Sequence, residues 1–135
     1  MVAVPKVLVG CPTADAYAYC LQEYAARVRE LSYPNYDMLI ADNSKDDAYK
    51  KQLEAAGLPT IRGPCLPDVR ERVITSRNLI RDHVLSNNYD YFLSLEQDVI
   101  PPKDVIERLI RHQKEVVSGV YYKDFHVTYM HQGKP

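Results

Sequence analysis

Short apolar runs closed by turn residues alternate along this chain with stripes of three- and four-residue spacing, and that alternation leaves few folds open. Lys6-Val7-Leu8-Val9-Gly10-Cys11 is continuous and apolar and closes at Pro12, the pattern of a strand buried on both faces. From Thr13 the period changes. Tyr17, Cys20, Leu21, Tyr24, Val28 and Leu31 mark an amphipathic helix that stops at Ser32-Tyr33-Pro34. Residues 37–41 read as a second strand, and Ser44 is placed to cap a helix through Ala48, Tyr49, Leu53 and Ala56 that ends at Gly57. Residues 59–62 form a short third strand. Asp68 and Glu71 have capping-box spacing ahead of a stripe through Val73, Ile74, Ile80, Val84 and Leu85. A fourth strand begins at Tyr91, residues 104–113 are helical, and residues 115–122 are strand-like through Val116, Val117 and Val120. Strand and helix in strict alternation predict an α/β fold, a Rossmann-like three-layer αβα sandwich with a mostly parallel sheet.

Residues 1–122 are expected to form one domain, and residues 123–135, which show no period, an irregular C-terminal tail. A formal net charge of −1 gives no electrostatic case for nucleic acid or an anionic membrane. Cys11, Cys20 and Cys65 are odd in number and form no CxxC pair, so they read as reduced core thiols of a cytoplasmic protein. The apolar run that stops at Pro12 is far short of the ~20 residues of a membrane span. It also lacks the basic lead of a signal peptide.

The chemistry-bearing residues gather where the strands end. Tyr91-Phe92-Leu93-Ser94-Leu95 runs into Glu96-Gln97-Asp98 and then Pro101-Pro102. With period 2, Glu96 and Asp98 are expected on one side of the strand end, where two carboxylates repel unless a cation lies between them. A hard divalent ion bound through oxygen is the usual solution. Pro12-Thr13, Asp42-Asn43-Ser44 and Arg62-Gly63 also fall at carboxyl ends of strands, which is where parallel sheets bind ligands. Asp42 suits hydrogen bonds from a base or ribose, although Asp-Asn-Ser is also ordinary turn chemistry. Arg77, in Ser76-Arg77-Asn78, is either a solvated helix arginine or a planar fork for phosphate. His83 and His112 read as exposed helix residues, whereas His126 or His131 could complete a metal shell. A GxGxxG after the first strand and a GxxxxGK[ST] are both absent, which argues against a dinucleotide-binding domain and a P-loop.

Taken in order, Val7 to Thr13, Leu39-Ile40-Ala41-Asp42-Asn43-Ser44-Lys45-Asp46-Asp47, Ser76-Arg77-Asn78, and Tyr89-Asp90-Tyr91 through Asp98-Val99-Ile100-Pro101 resemble the nucleotide-sugar-binding half of a GT-A-fold glycosyltransferase of the large inverting family 2. Val117-Ser118-Gly119-Val120-Tyr121-Tyr122 continues the similarity, with Glu96 standing where the family's DxD strand carries its first Asp. The resemblance implies a donor such as a UDP- or GDP-sugar, bound by Pro12, Thr13, Asp42, Asn43, Arg77, Glu96 and Gln97. Asp98 would ligate Mn²⁺ or Mg²⁺, with Glu96 on ribose, metal-bound water or the metal. The acceptor is unknown and no catalytic base is identified; the family's acceptor region would begin in the tail. The alternatives are a non-catalytic nucleotide-sugar-binding domain of the same fold, which would need a partner or a further C-terminal half, and a nucleotidyltransferase. A homo-oligomer is left open.

Overall fold

The computed structural model describes residues 3–120 together with 122–123 and 126–127. Four strands, β1 (Val7–Thr13), β2 (Tyr36–Asp42), β3 (Thr60–Arg62) and β4 (Tyr91–Ser94), form one sheet in the order β3-β2-β1-β4, and every pairing is parallel. Helices α1 (Leu21–Arg29), α2 (Ala48–Ala55) and α4 (Val105–Ile110) cover one face, and α3 (Val69–Ser86) covers the other. Alternate residues of the buried strands divide between the two layers. Val7, Val9, Cys11 and Ile40 pack with Leu21, Tyr24, Val28, Tyr49, Leu53 and Ile106, while Leu8, Leu39 and Ala41 pack with Ile80. This is the expected Rossmann-like αβα sandwich. The chain leaves β1 toward β2 and β3, then crosses back over the sheet to β4, so the topological switch point lies between the carboxyl ends of β1 and β4. Among the described residues no helix is long and apolar enough to cross a membrane.

Pro12 lies inside β1, and the bonding explains why it is tolerated. Val7 and Thr13 bond toward β2, through Val7 N–H to Asn35 O and Asn43 N–H to Thr13 O, so Pro12 faces the β4 side. There the last bond is Leu95 N–H to Gly10 O, and beyond it no ladder bond is lost.

Several expectations are corrected. The first helix opens as a 3-10 turn, Asp15–Cys20, in which Tyr17 is exposed. Ser44 does not cap α2, whose N-cap is Asp47; its hydroxyl is bonded to Asp42 instead. Ile74 and Leu85 of the α3 stripe face solvent, because a lone helix on that face buries only a narrow strip. Residues 115–120 are not a strand, and Val116 is 89% exposed. β-branched valines favour extended backbone, but among the described residues no neighbouring strand pairs with them. The next paired residues are β5 (Tyr122–Lys123) with β6 (His126–Val127), a short antiparallel ribbon at the start of the stretch read as irregular. His131 lies outside the described residues, as does the remainder of that tail. Cys11 and Cys20 are buried as expected, but Cys65 is exposed, in a segment with Pro64 and Pro67 that runs outside the core. Gly57 ends α2 with φ of 81°, the stop its position suggested.

Truncation should separate the layers. Leu53→Ala, at a fully buried side chain, is expected to cost roughly 2–5 kcal/mol, whereas Leu85→Ala, at a residue 73% exposed, should stay within about 0.5 kcal/mol. Urea unfolding of the two variants measures the difference.

Candidate functional site

The fourth strand ends at Ser94, earlier than its apolar run suggests, and Glu96, Gln97 and Asp98 lie in a turn closed by Val99 N–H to Glu96 O at 3.1 Å. The two acids therefore do not share a face by strand alternation. Gln97 turns inward between them and is buried, leaving Glu96 half-buried and Asp98 exposed. The Gln97 amide is the reason for the turn's placement. Its Oε1 accepts a short hydrogen bond from Thr13 Oγ1 at the end of β1. Its Nε2 donates to Tyr49 Oη of α2 at 2.6 Å and to the Tyr17 carbonyl of the 3-10 turn at 3.2 Å. One side chain thus joins four segments of the chain. A buried amide left without those partners would cost roughly 1–3 kcal/mol.

At the end of β2 the Asp42 carboxylate is fully buried. Its Oδ1 accepts from Ser44 N–H at 3.0 Å and Ser44 Oγ at 2.6 Å, and its Oδ2 accepts from Arg62 Nη1 at 2.6 Å. Arg62, the last residue of β3, also donates Nη2 to Ser44 O at 2.6 Å and pairs its Nε with Asp47 at 3.2 Å. The guanidinium therefore clamps the whole 42–47 loop. Ser44 Oγ in turn accepts from Asp15 N–H at 2.8 Å, which ties this loop to the one after β1. Asn43 Nδ2 donates to Ser76 Oγ of α3 at 3.3 Å. Gly63 makes room for that contact, since a Cβ there would sit 2.5 Å from Ser76 Oγ.

The remaining side chains lie at the rim. Arg77 donates Nη2 to Glu96 Oε1 at 2.8 Å, so α3 and the 96–99 turn meet across the switch point. Burial pushes the Glu96 carboxyl up, the Arg77 charge offsets this, and the neighbouring Asp98 charge adds to it. On its other side Asp98 bears on the 3-10 turn, where the Cys20 thiol is pushed up by burial and then by Asp98. Cys11 is a packing group, with burial pushing its thiol up to about 12.

Of the residues expected to bind nucleotide sugar, Pro12, Thr13, Asp42, Asn43 and Gln97 are buried, and the four with polar side chains bond to the protein. Arg77 and Glu96 are paired at the surface, and Asp98 lies exposed in the same turn as Glu96. Among the described residues no group of three or more His, Cys, Asp and Glu could hold a metal ion. The acids at this turn are Asp98, which is exposed, and Glu96, which is paired with Arg77, and Mg²⁺ held by one or two carboxylates takes its remaining positions from phosphate oxygens and water. The clamp by Arg62 and the seats of Tyr17, Tyr49 and Ser76 were not legible in sequence. A groove of about 410 Å³ lies elsewhere, along the outer edge of β4 against α4 and residues 114–119, and its lining is mainly apolar. The polar cluster rather than the groove defines the candidate site. Comparison with known proteins gives no match to any family model and none to any curated protein.

Two outcomes are expected. Arg62→Met should destabilise by about 3 kcal/mol, and by more than Asp42→Asn, because it leaves a buried carboxylate unpaired; denaturant unfolding ranks them. The raised pKa of Glu96 means that the native state holds its proton more tightly than the unfolded chain. Glu96 therefore favours folding below its unfolded pKa, and this contribution is lost as pH rises through the native value. Carboxyl NMR titration should place Glu96 above an ordinary glutamate, and higher still in Arg77→Met.

Proposed function

We propose that the strand-end crevice binds a nucleotide-diphospho-sugar and that the chain is a metal-dependent glycosyltransferase, or the donor-binding part of one. The observation that carries this reading is the pairing of Arg77 with Glu96 at the switch point between β1 and β4, with the exposed Asp98 in the same turn as Glu96. Arg77 keeps further N–H donors beyond its bond to Glu96, and its planar fork suits phosphate oxygens. Asp98, with Glu96, would hold Mn²⁺ or Mg²⁺, which when bound neutralises charge on the diphosphate. The reaction breaks the bond between the sugar's anomeric carbon and the diphosphate oxygen, the nucleotide leaves with the electron pair, and an acceptor nucleophile that gives up its proton forms the new bond to that carbon. Groups that favour the developing negative charge therefore lower the barrier.

In this reading the base lies toward Asp42. That carboxylate already accepts three hydrogen bonds, so its part is to fix Arg62 and the 42–47 loop, which together form the rim on that side. Asp98, at the opposite end of the crevice, marks the diphosphate and sugar. The same reading places the protein in the cytoplasm, where Cys11, Cys20 and Cys65 stay as free thiols.

Calorimetry with UDP- and GDP-sugars, with Mn²⁺ and with EDTA, tests the proposal. Metal-dependent binding of at least one nucleotide is expected, weakened at least about tenfold by Asp98→Ala, and each factor of ten is 1.4 kcal/mol. Binding without sugar transfer by the chain alone assigns it the donor-binding role. Absence of any metal-dependent nucleotide binding, or full binding by Asp98→Ala, overturns the reading.

A further inference from the structure

Beside Asp98 the 3-10 turn presents two tyrosines that the core does not use. Tyr19 is 77% exposed and Tyr17 40%, and their rings are stacked with centroids 6.4 Å apart and planes 28° from parallel. Scattered exposed aromatics are common on protein surfaces and mean little. This pair differs in being fixed at its base. The Tyr17 carbonyl accepts from the buried Gln97 amide at 3.2 Å and from Cys20 Sγ at 3.2 Å, and Tyr17 N–H donates to Ala14 O at 2.9 Å. Gln97 is also the residue that sets Asp98, its immediate neighbour, at the crevice mouth. One buried side chain therefore positions both the aromatic pair and the carboxylate.

We propose that Tyr17 and Tyr19 form a shelf for the sugar ring of the ligand, with Asp98 accepting from its hydroxyls. A pyranose has an apolar face of C–H groups and an edge of hydroxyl donors. A preordered aromatic surface with a carboxylate at its margin complements both. The shelf is held through Gln97, the neighbour of Asp98, and the donor reading gives Asp98 to the diphosphate and sugar, so the shelf is assigned to the sugar rather than the base. This inference deepens the donor-site reading and rests on it for the choice of a sugar over other flat ligands.

The test uses the full chain with labelled tyrosine rings, followed by NMR during titration with methyl glycosides of glucose, galactose, mannose and N-acetylglucosamine. In parallel, calorimetry compares UDP and GDP with their sugar conjugates in Mn²⁺. Saturable shifts of the Tyr19 ring by at least one glycoside are expected, or an affinity gain of conjugate over free nucleotide. Tyr19→Ala should reduce that glycoside affinity or gain roughly three- to tenfold, the worth of one aromatic contact, while Tyr19→Phe keeps it within about twofold. Tyr19 is too exposed for either change to unfold the protein, and a thermal melt verifies this. Glycoside shifts without nucleotide binding sink the donor reading and leave the shelf standing. Nucleotide binding with no glycoside shift and no affinity gain, or a gain that Tyr19→Ala leaves intact, overturns the shelf and spares the donor reading. A Tyr19 shift caused by uridine or guanosine and by no glycoside also overturns it.

Discussion

The site depends on one buried amide. Gln97 leaves the end of β4 and enters the space between the end of β1, α2 and the 3-10 turn, where Thr13, Tyr49 and the Tyr17 carbonyl meet it. A strand end that simply ran out into solvent would carry its acids on a loose loop. Here the middle residue of the acidic motif is a core residue, so the acids on either side inherit the order of the core. The network is nearly satisfied, and a satisfied buried network gives both stability and a single conformation.

A second constraint is the buried charge of Asp42. A carboxylate without solvent must be paired, and Arg62 reaches it from the end of the neighbouring strand. Parallel pairing of β2 with β3, with Asp42 opposite Arg62, is what places the two side by side. The pair thus couples sheet register to loop conformation. It also separates two kinds of acid at the crevice. Asp42 is spent on the scaffold, and Glu96 is shared with Arg77. Asp98 is exposed to whatever binds.

Much of the fold was legible in the order of the residues. Val7 to Cys11 read as a strand buried on both faces and is one, and Gly57 and Asp68 bound helices as their chemistry suggests. The failures share a cause. Ser44 has the chemistry of a cap, yet a buried Asp42 two residues away is a stronger partner for its hydroxyl. Val116, Val117 and Val120 have the β-branched character of strand residues, but a strand exists only when another edge accepts its hydrogen bonds. Strand alternation was expected to carry past the Tyr91 run onto Glu96 and Asp98, whereas the strand stops at Ser94 and Gln97 turns inward between the two acids.

Sequence alone determined that strands and helices alternate, that the sheet is parallel and that polar groups collect at the carboxyl ends of the strands. Local spacing and side-chain chemistry carry that information, because period and turn preference act over a few residues. Only the tertiary structure decided which of those polar groups face inward. Thr13 and Gln97 are 84 residues apart, and Asp42 and Arg62 are 20 apart. Whether an acid or amide becomes scaffold or site depends on the partner that packing brings to it, and no local pattern encodes that partner.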